Sequence, residues 1–302
     1  MFWTKVELLG AIWDIIKIQQ TVVEEKGILH CDCSLNNSMI EDDGDGSHRT
    51  LIDWEFTVFI AQGQKYARGG TGTLPFMSRS LLFQLSEAVS SVATLEHSMK
   101  CASSSHVTQA RLIIYRYEDD LESVFYVFIW ICIGYRGPLG VKRVLDKSHD
   151  WLLHKWSATT FKACNDEKTM FFYHSHAHKF KEQFHPYFKN LILLAVEWYK
   201  LIRNKGPSNT ITLQEILDFL DNHLTRLPQE LSPKLLFARK VLKGLPLPDT
   251  SSSPVGGESS KRKLSDGDIV EIPGPITVHD VTHGGRIWTM EPTPQPKWNR
   301  TT

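Results

Sequence analysis

Apolar residues recur at helical spacing over most of the first 245 positions and lose that rhythm beyond them. Val6, Leu9, Trp13 and Ile16 repeat at intervals of three, four and three, with Lys5, Glu7, Asp14 and Lys17 between them. Residues 4–26 are therefore expected to form an amphipathic helix that Gly27 ends. Met39 to Ile52 reads as a hairpin, because Asp43-Gly44-Asp45-Gly46 is a turn cluster of residues that tolerate positive φ. Residues 56–80 are rich in Gly and Thr and read as a loop; 81–88 read as a short helix, and Ser90 to Ser105 as a Ser/Ala-rich surface connection. Near Glu118 a helix begins whose apolar residues run all round, as suits a central, buried element. Asp119 and Asp120 suit its N-terminal dipole, and Gly137-Pro138 is expected to end it. Residues 141–185 read as irregular helix and loop, and 187–204 as an amphipathic helix. Thr212 and Glu215 form a capping box ahead of Leu213, Ile216, Leu217, Leu220 and Leu224 on one face. Ser232-Pro233 opens a last helix that Gly244 ends. The expected class is mainly α, with a folded part over 1–245 and a Pro/Ser/Gly-rich, disordered tail over 246–302 that cannot bury enough surface to offset its chain entropy.

Composition narrows the setting. Hydrophobic residues make up 41% of the chain, enough for a real core, and the formal net charge is zero, which argues against nucleic acid or an anionic membrane as partner. Five cysteines without metal spacing fit a reducing compartment, so the expectation is an intracellular protein of cytoplasm or nucleus. No secretory signal is evident in the first residues, and the most apolar run, Val124 to Ile133, is about half of the ~20 residues a membrane span needs. His174, His176 and His178 alternate, with His185 beyond, but no Cys or acidic ligand stands at zinc spacing, and a solvated surface is the better reading. Glu41, Asp43 and Asp45 do not continue into a calcium loop, since Ile52 stands where its Glu belongs. Lys261-Arg262-Lys263 reads as solvated tail.

The candidate chemistry lies between Gly27 and Glu55. An apolar lead, Ile28-Leu29, delivers His30-Cys31-Asp32, and Asn37 follows five residues later. A second lead, Leu51-Ile52, delivers Asp53. Two carboxylates and an amide, set just beyond apolar strands and separated by a turn, suit a hard divalent cation bound to phosphates.

This layout resembles the catalytic loop and metal-binding loop of protein kinases, H-R-D, four residues, N, then a hairpin and D-F-G. The resemblance continues at Gly72-Thr73-Leu74-Pro75-Phe76-Met77 and at Asp119-Asp120-Leu121-Glu122-Ser123, and the chain as a whole is similar to the fungal-type protein kinase family, over roughly residues 1–245. The resemblance implies a kinase-like C-lobe: a helical bundle with a small β-hairpin at the catalytic and metal loops. It implies Ser/Thr phosphorylation of a protein substrate with ATP and Mg²⁺. Asp32 would accept the proton of the substrate hydroxyl; Asn37 and Asp53 would hold Mg²⁺ against the ATP phosphates. His30 would support the metal loop, Thr73 would steady Asp32, and Asp120 would hold the catalytic-loop backbone.

Several positions depart from the kinase pattern. Cys31 replaces the Arg that reads a phosphorylated activation loop; Ser34 stands where many kinases have a phosphate-contacting Lys; Glu55 replaces the Gly of D-F-G. Ser80 stands at the A-P-E glutamate, which removes the ion pair expected to brace that segment. No Gly-rich loop or V-A-I-K-like Lys precedes His30, so the N-lobe is expected to be absent and the chain inactive alone. The alternative is a catalytically silent C-lobe that binds a protein partner.

Overall fold

The structure, a computed structural model, describes residues 2–42, 47–60, 65–66, 72–99, 112–174, 176–204, 210–228, 230 and 285–286. Contacts divide the chain into a unit of Met1–Glu230 with Gly285–Thr302 and a unit of Leu231–Gly284; all described residues belong to the first. That unit is mainly helical. The expected helix from Ser232 to Gly244, the Asp43–Gly46 turn, Thr71, and the tail over 246–302 apart from Gly285 and Arg286 lie outside the described residues.

Helix α1 spans Lys5–Lys26. Thr4 caps it by accepting the Glu7 amide, and Gly27 closes it at φ 63, a left-handed conformation that costs glycine little. The buried stripe is Leu8, Leu9, Ile12, Ile15 and Ile16, while Val6 and Trp13 are only half-buried. The stripe is thus turned from the one expected, because α1 packs at once on the central helix, on the hairpin and on the last described helix.

Strand β1 (Ile28–Leu29) pairs antiparallel with β4 (Val58–Phe59). Between them, β2 (Ser38–Asp42) and β3 (Ser47–Leu51) form the expected hairpin, Ser38 opposite Leu51. A third strand, β7 (Gly285–Arg286), pairs with β2 at Ile40 and Glu41. Strand β5 (Lys65–Tyr66) pairs with β6 (Ile113–Ile114).

Helix α2 runs from Arg79 to Met99, which corrects two expectations: the short helix at 81–88 and the surface connection from Ser90. The Ser/Ala run holds no Gly or Pro to stop a helix, and the Ser90 and Ser91 hydroxyls donate to the carbonyls one turn back, of Ser86 and Glu87. Helix α3 spans Tyr117–Gly134 and is buried on all sides. It ends at Gly134, three residues before the Gly137 that was expected to stop it, and Tyr135 leaves in an extended conformation to bridge with Lys142. Around α3 pack α4 (Leu152–Trp156), α5 (Phe161–Tyr173), α6 (Lys179–Gln183) and α7 (Ile192–Asn204). Residues 187–191, expected as the start of α7, belong instead to a tighter 3₁₀ turn, Pro186–Leu191. The capping box of Thr212 and Glu215 opens α8 (Leu213–Leu224).

Aromatic rings fill this core. Phe125 and Phe128 of α3 meet Trp198 of α7 at centroid distances of 5.7 Å, and Phe172 stacks on Tyr199 at 5.0 Å. Offset and edge-on pairs of this kind add about 0.5–1.5 kcal/mol each to the burial itself. A second cluster, Leu29, Cys31, Val58, Met77, Leu81, Leu82, Ile113 and Tyr115, lies between β1, α2 and the segment at 72–78. The three alternating histidines sit at the end of α5 and in a 3₁₀ turn rather than on a strand, and among the described residues no three His, Cys, Asp or Glu side chains gather as metal ligands. The described cysteines, Cys31, Cys33, Cys132 and Cys164, are free and buried. No described helix is long and apolar enough to cross a membrane.

Burial pushes the carboxyls of Asp119 and Asp120 up to about 7. Each group keeps its proton to a higher pH in the fold than in the unfolded chain. Its stabilising contribution is complete below about pH 4 and is lost as pH rises through about 7. Asp119 accepts from the Ser78 hydroxyl and the Arg116 amide, and an Asn there can accept one and donate to the other. Asp119→Asn is therefore expected to flatten the fall in stability between pH 5 and pH 8, on the order of 2–4 kcal/mol in the parent. Urea unfolding at the two pH values checks this; a parent equally stable at both would contradict it.

Candidate functional site

The hairpin register brings the site together. Asn37 precedes Ser38 and Ile52 follows Leu51, and these two residues are opposed across the ladder. The Asn37 carbonyl accepts the Ile52 amide at 2.9 Å, so Asn37 and Asp53 leave the same end of the hairpin. The Asn37 side-chain amide turns back and donates to the Asp32 carbonyl at 2.9 Å. Asp53 is exposed and sits at φ 66, in the left-handed region, at the start of the 3₁₀ turn Trp54–Phe56.

His30 links the two loops. Its Nε2 lies 2.9 Å from the Ile52 carbonyl, which can only accept, and its Nδ1 accepts the Asp32 amide at 3.2 Å. That pairing fixes the neutral tautomer with the proton on Nε2. Burial lowers its pKa, against the Ile52 carbonyl and the charges of Asp32 and Asp53, so the ring stays neutral. Trp54 packs edge-on to the ring, 4.6 Å between centroids.

Asp32 is held from the far side. One carboxylate oxygen, Oδ1, accepts both the Thr73 amide at 2.9 Å and the Thr73 hydroxyl at 3.1 Å. Burial raises the Asp32 pKa, and these two Thr73 bonds work against the rise. Gly72 makes the approach possible: at φ 128, a side chain there would meet Met77 at 3.0 Å and the Cys31 carbonyl at 3.4 Å.

Asp120 supports the loop from below. Its carboxylate accepts the His30 and Cys31 amides, each at 3.1 Å. Cys31 has φ 69, a conformation a non-glycine residue holds only at a cost of about 1–3 kcal/mol. Burial pushes the Cys31 thiol far up, so it is packing rather than a nucleophile. The structure therefore joins His30, Asp32, Asn37, Thr73 and Asp120 in one hydrogen-bonded network, with Asp53 at its exposed edge. Residues 1–132 match the model of the fungal protein kinase family. The match contains all six of these residues. A search of curated proteins found no match. The match bears out the resemblance to the fungal protein kinase family over those residues, which are under half of the chain.

The bracing of the segment after Thr73 differs from expectation. Ser80 is exposed and carries no ion pair, but its neighbour Arg79 does. Arg79 makes two bonds to Glu122, from Nε at 3.0 Å and from Nη2 at 3.2 Å, and its amide donates to the same carboxylate. Tyr126 donates to Glu122 at 2.6 Å. Burial disfavours both charges, and each partner, together with Tyr126, more than offsets it. Sequence reasoning missed this pair and also missed Lys168, which is fully buried. A signal for Lys168 was present: it falls on the stripe Phe161, Cys164, Phe171 and Phe172 of α5 at three- and four-residue spacing.

Removing the Asp120 carboxylate leaves the two buried amides without acceptors. Asp120→Ala is expected to lose about 2–5 kcal/mol, and Asp120→Asn, which keeps one acceptor oxygen, clearly less. Denaturant unfolding gives the totals. Hydrogen exchange at residues 30 and 31 gives the location; protection unchanged there would contradict the anchoring.

Proposed function

We propose that the site serves phosphoryl transfer of the protein-kinase type, from ATP to a Ser or Thr hydroxyl of a protein. What carries the reading is the pair of hydrogen bonds from Thr73 to one oxygen of Asp32, which leaves the other oxygen, beside the Asn37 amide, for a substrate hydroxyl. Asp32 would orient that hydroxyl and take its proton as the oxygen bonds to the γ-phosphorus and the bond from that phosphorus to the bridging oxygen breaks, releasing ADP; its raised pKa suits a proton acceptor. Asn37 and Asp53 are the residues that would hold Mg²⁺. The donor set fits a hard cation: one exposed carboxylate, and an amide whose nitrogen is already committed to the Asp32 carbonyl, leaving its oxygen for the ion. Bound there, Mg²⁺ would supply charge neutralisation for the phosphates. His30, neutral and bonded to Ile52, fixes the backbone that presents Asp53.

A second reading is a silent C-lobe that binds a protein partner. Glu55 favours it, since this exposed residue adds negative charge two residues from Asp53 where kinases have Gly. Thermal unfolding with Mg²⁺ and ATP separates the two. A ligand at about ten times its Kd stabilises by about 1.4 kcal/mol, a shift of a few degrees. The kinase reading expects that shift in the parent and its loss in Asp53→Ala. No shift at millimolar ATP would leave the silent reading in place.

A further inference from the structure

A fully buried lysine is costly unless something holds it, and Lys168 of α5 has no carboxylate partner among the described residues. Its Nζ donates to the Met77 carbonyl at 2.6 Å and lies 3.7 Å from the centre of the Tyr126 ring. Glu122 of α3 is already taken by Arg79 of α2 and by the Tyr126 hydroxyl. Cys164 of α5 and Glu122 favour the lysine's charge, Arg79 opposes it, and burial brings its pKa down to about 8. The lysine is therefore spent on one backbone carbonyl, and what that carbonyl belongs to is informative. The Met77 amide donates to the Thr73 carbonyl at 3.2 Å, and Thr73 makes the two bonds to Asp32. Met77 also fills the space beside Gly72, against the catalytic loop. A continuous hydrogen-bonded path thus joins α5 to the candidate base.

We infer that Lys168 is a positioning residue for Asp32, acting through the Met77 carbonyl and Thr73 to fix the oxygen that substrate does not use. The inference rests on the reading of Asp32 as the base, but its test reads the Thr73 amide that bonds to Asp32 and needs no nucleotide. Amide hydrogen exchange and the amide proton shift of Thr73 are compared in the parent, Lys168→Arg and Lys168→Met. Lys168→Met should speed exchange of the Thr73 amide by about tenfold or more relative to the amides of α7 and move its proton shift, while Lys168→Arg, which keeps a donor for the Met77 carbonyl, should restore both. A folded Lys168→Met with the Thr73 amide unchanged overturns the inference, as does a Lys168→Arg that behaves like Lys168→Met. A merely structural lysine would speed exchange throughout the fold and leave Thr73 no more affected than α7. If Lys168→Met does not fold, native-state hydrogen exchange in the parent decides. The Thr73 and Met77 amides should exchange within tenfold of those of α5 once corrected for intrinsic rates, and exchange more than tenfold faster overturns it.

Discussion

The structure depends on one carboxylate, that of Asp120, buried beneath the loop that carries His30 and Cys31. It accepts the amides of His30 and Cys31 and so holds a turn in which Cys31 adopts a left-handed backbone. Burying this group is unfavourable, the more so beside Asp119, and both carboxyls titrate far above their ordinary range. Two features offset the cost. The group sits in the first turn of α3, where the helix dipole favours negative charge, and it is bonded to two amides that would otherwise lack acceptors. Strain in the loop and charge in the helix therefore stabilise one another, and neither would persist alone.

The same helical turn organises the rest by geometry. Residues of an α-helix are rotated by about 100° each, so positions three and four apart share a face. Asp119, Glu122 and Tyr126 fall on one face of α3 and meet the start of α2: Asp119 binds Ser78, Glu122 binds Arg79, and Tyr126 completes the Glu122 shell. Asp120, one step round, faces the loop at His30 and Cys31 instead. The run Asp119-Asp120-Leu121-Glu122 thereby divides three acids between two neighbours, and the relative placement of Asp32 and Thr73 follows from which neighbour each acid holds. The chain spacing is short, but the contacts span 41 to 90 residues.

That difference in range explains what could be read from the chain. Helix ends with local chemistry were legible: Thr4 and Gly27 around α1, Thr212 and Glu215 at α8, and the hairpin between Met39 and Ile52. So were the positions of Asp32, Asn37, Thr73 and Asp120, because motif spacing carries them. The Ser/Ala stretch after Ser90 was misread because small polar residues mark loops on average, while the hydroxyls of Ser90 and Ser91 here fold back on the helix. Arg79 and Lys168 were missed for another reason. A cation on a helix is usually solvated, and only the tertiary fold shows that Glu122 and the Met77 carbonyl stand where water would be. Ser80 was read as the loss of a brace when the brace had moved to Arg79, a shift that propensity and periodicity do not encode.

Charge balance in the site follows from these commitments. Asp32, Asp53, Glu55, Asp119 and Asp120 lie in or around the two loops and the helix turn beneath them. The two cations built into the adjoining network are not available to them, since Arg79 is held by Glu122 and Lys168 by a carbonyl. His30, near both Asp32 and Asp53, is kept neutral by burial, which outweighs its bond to the Ile52 carbonyl and the two acids. The protein meets the surplus inside by raising the pKa of its buried acids, which leaves the exposed Asp53 carboxylate to be balanced from outside. Under the proposed phosphoryl-transfer reading, a divalent cation with oxygen ligands would supply that balance. The acidic excess and the neutral histidine are then two sides of one arrangement, in which burial holds charge down inside the network and Asp53 stands at its exposed edge.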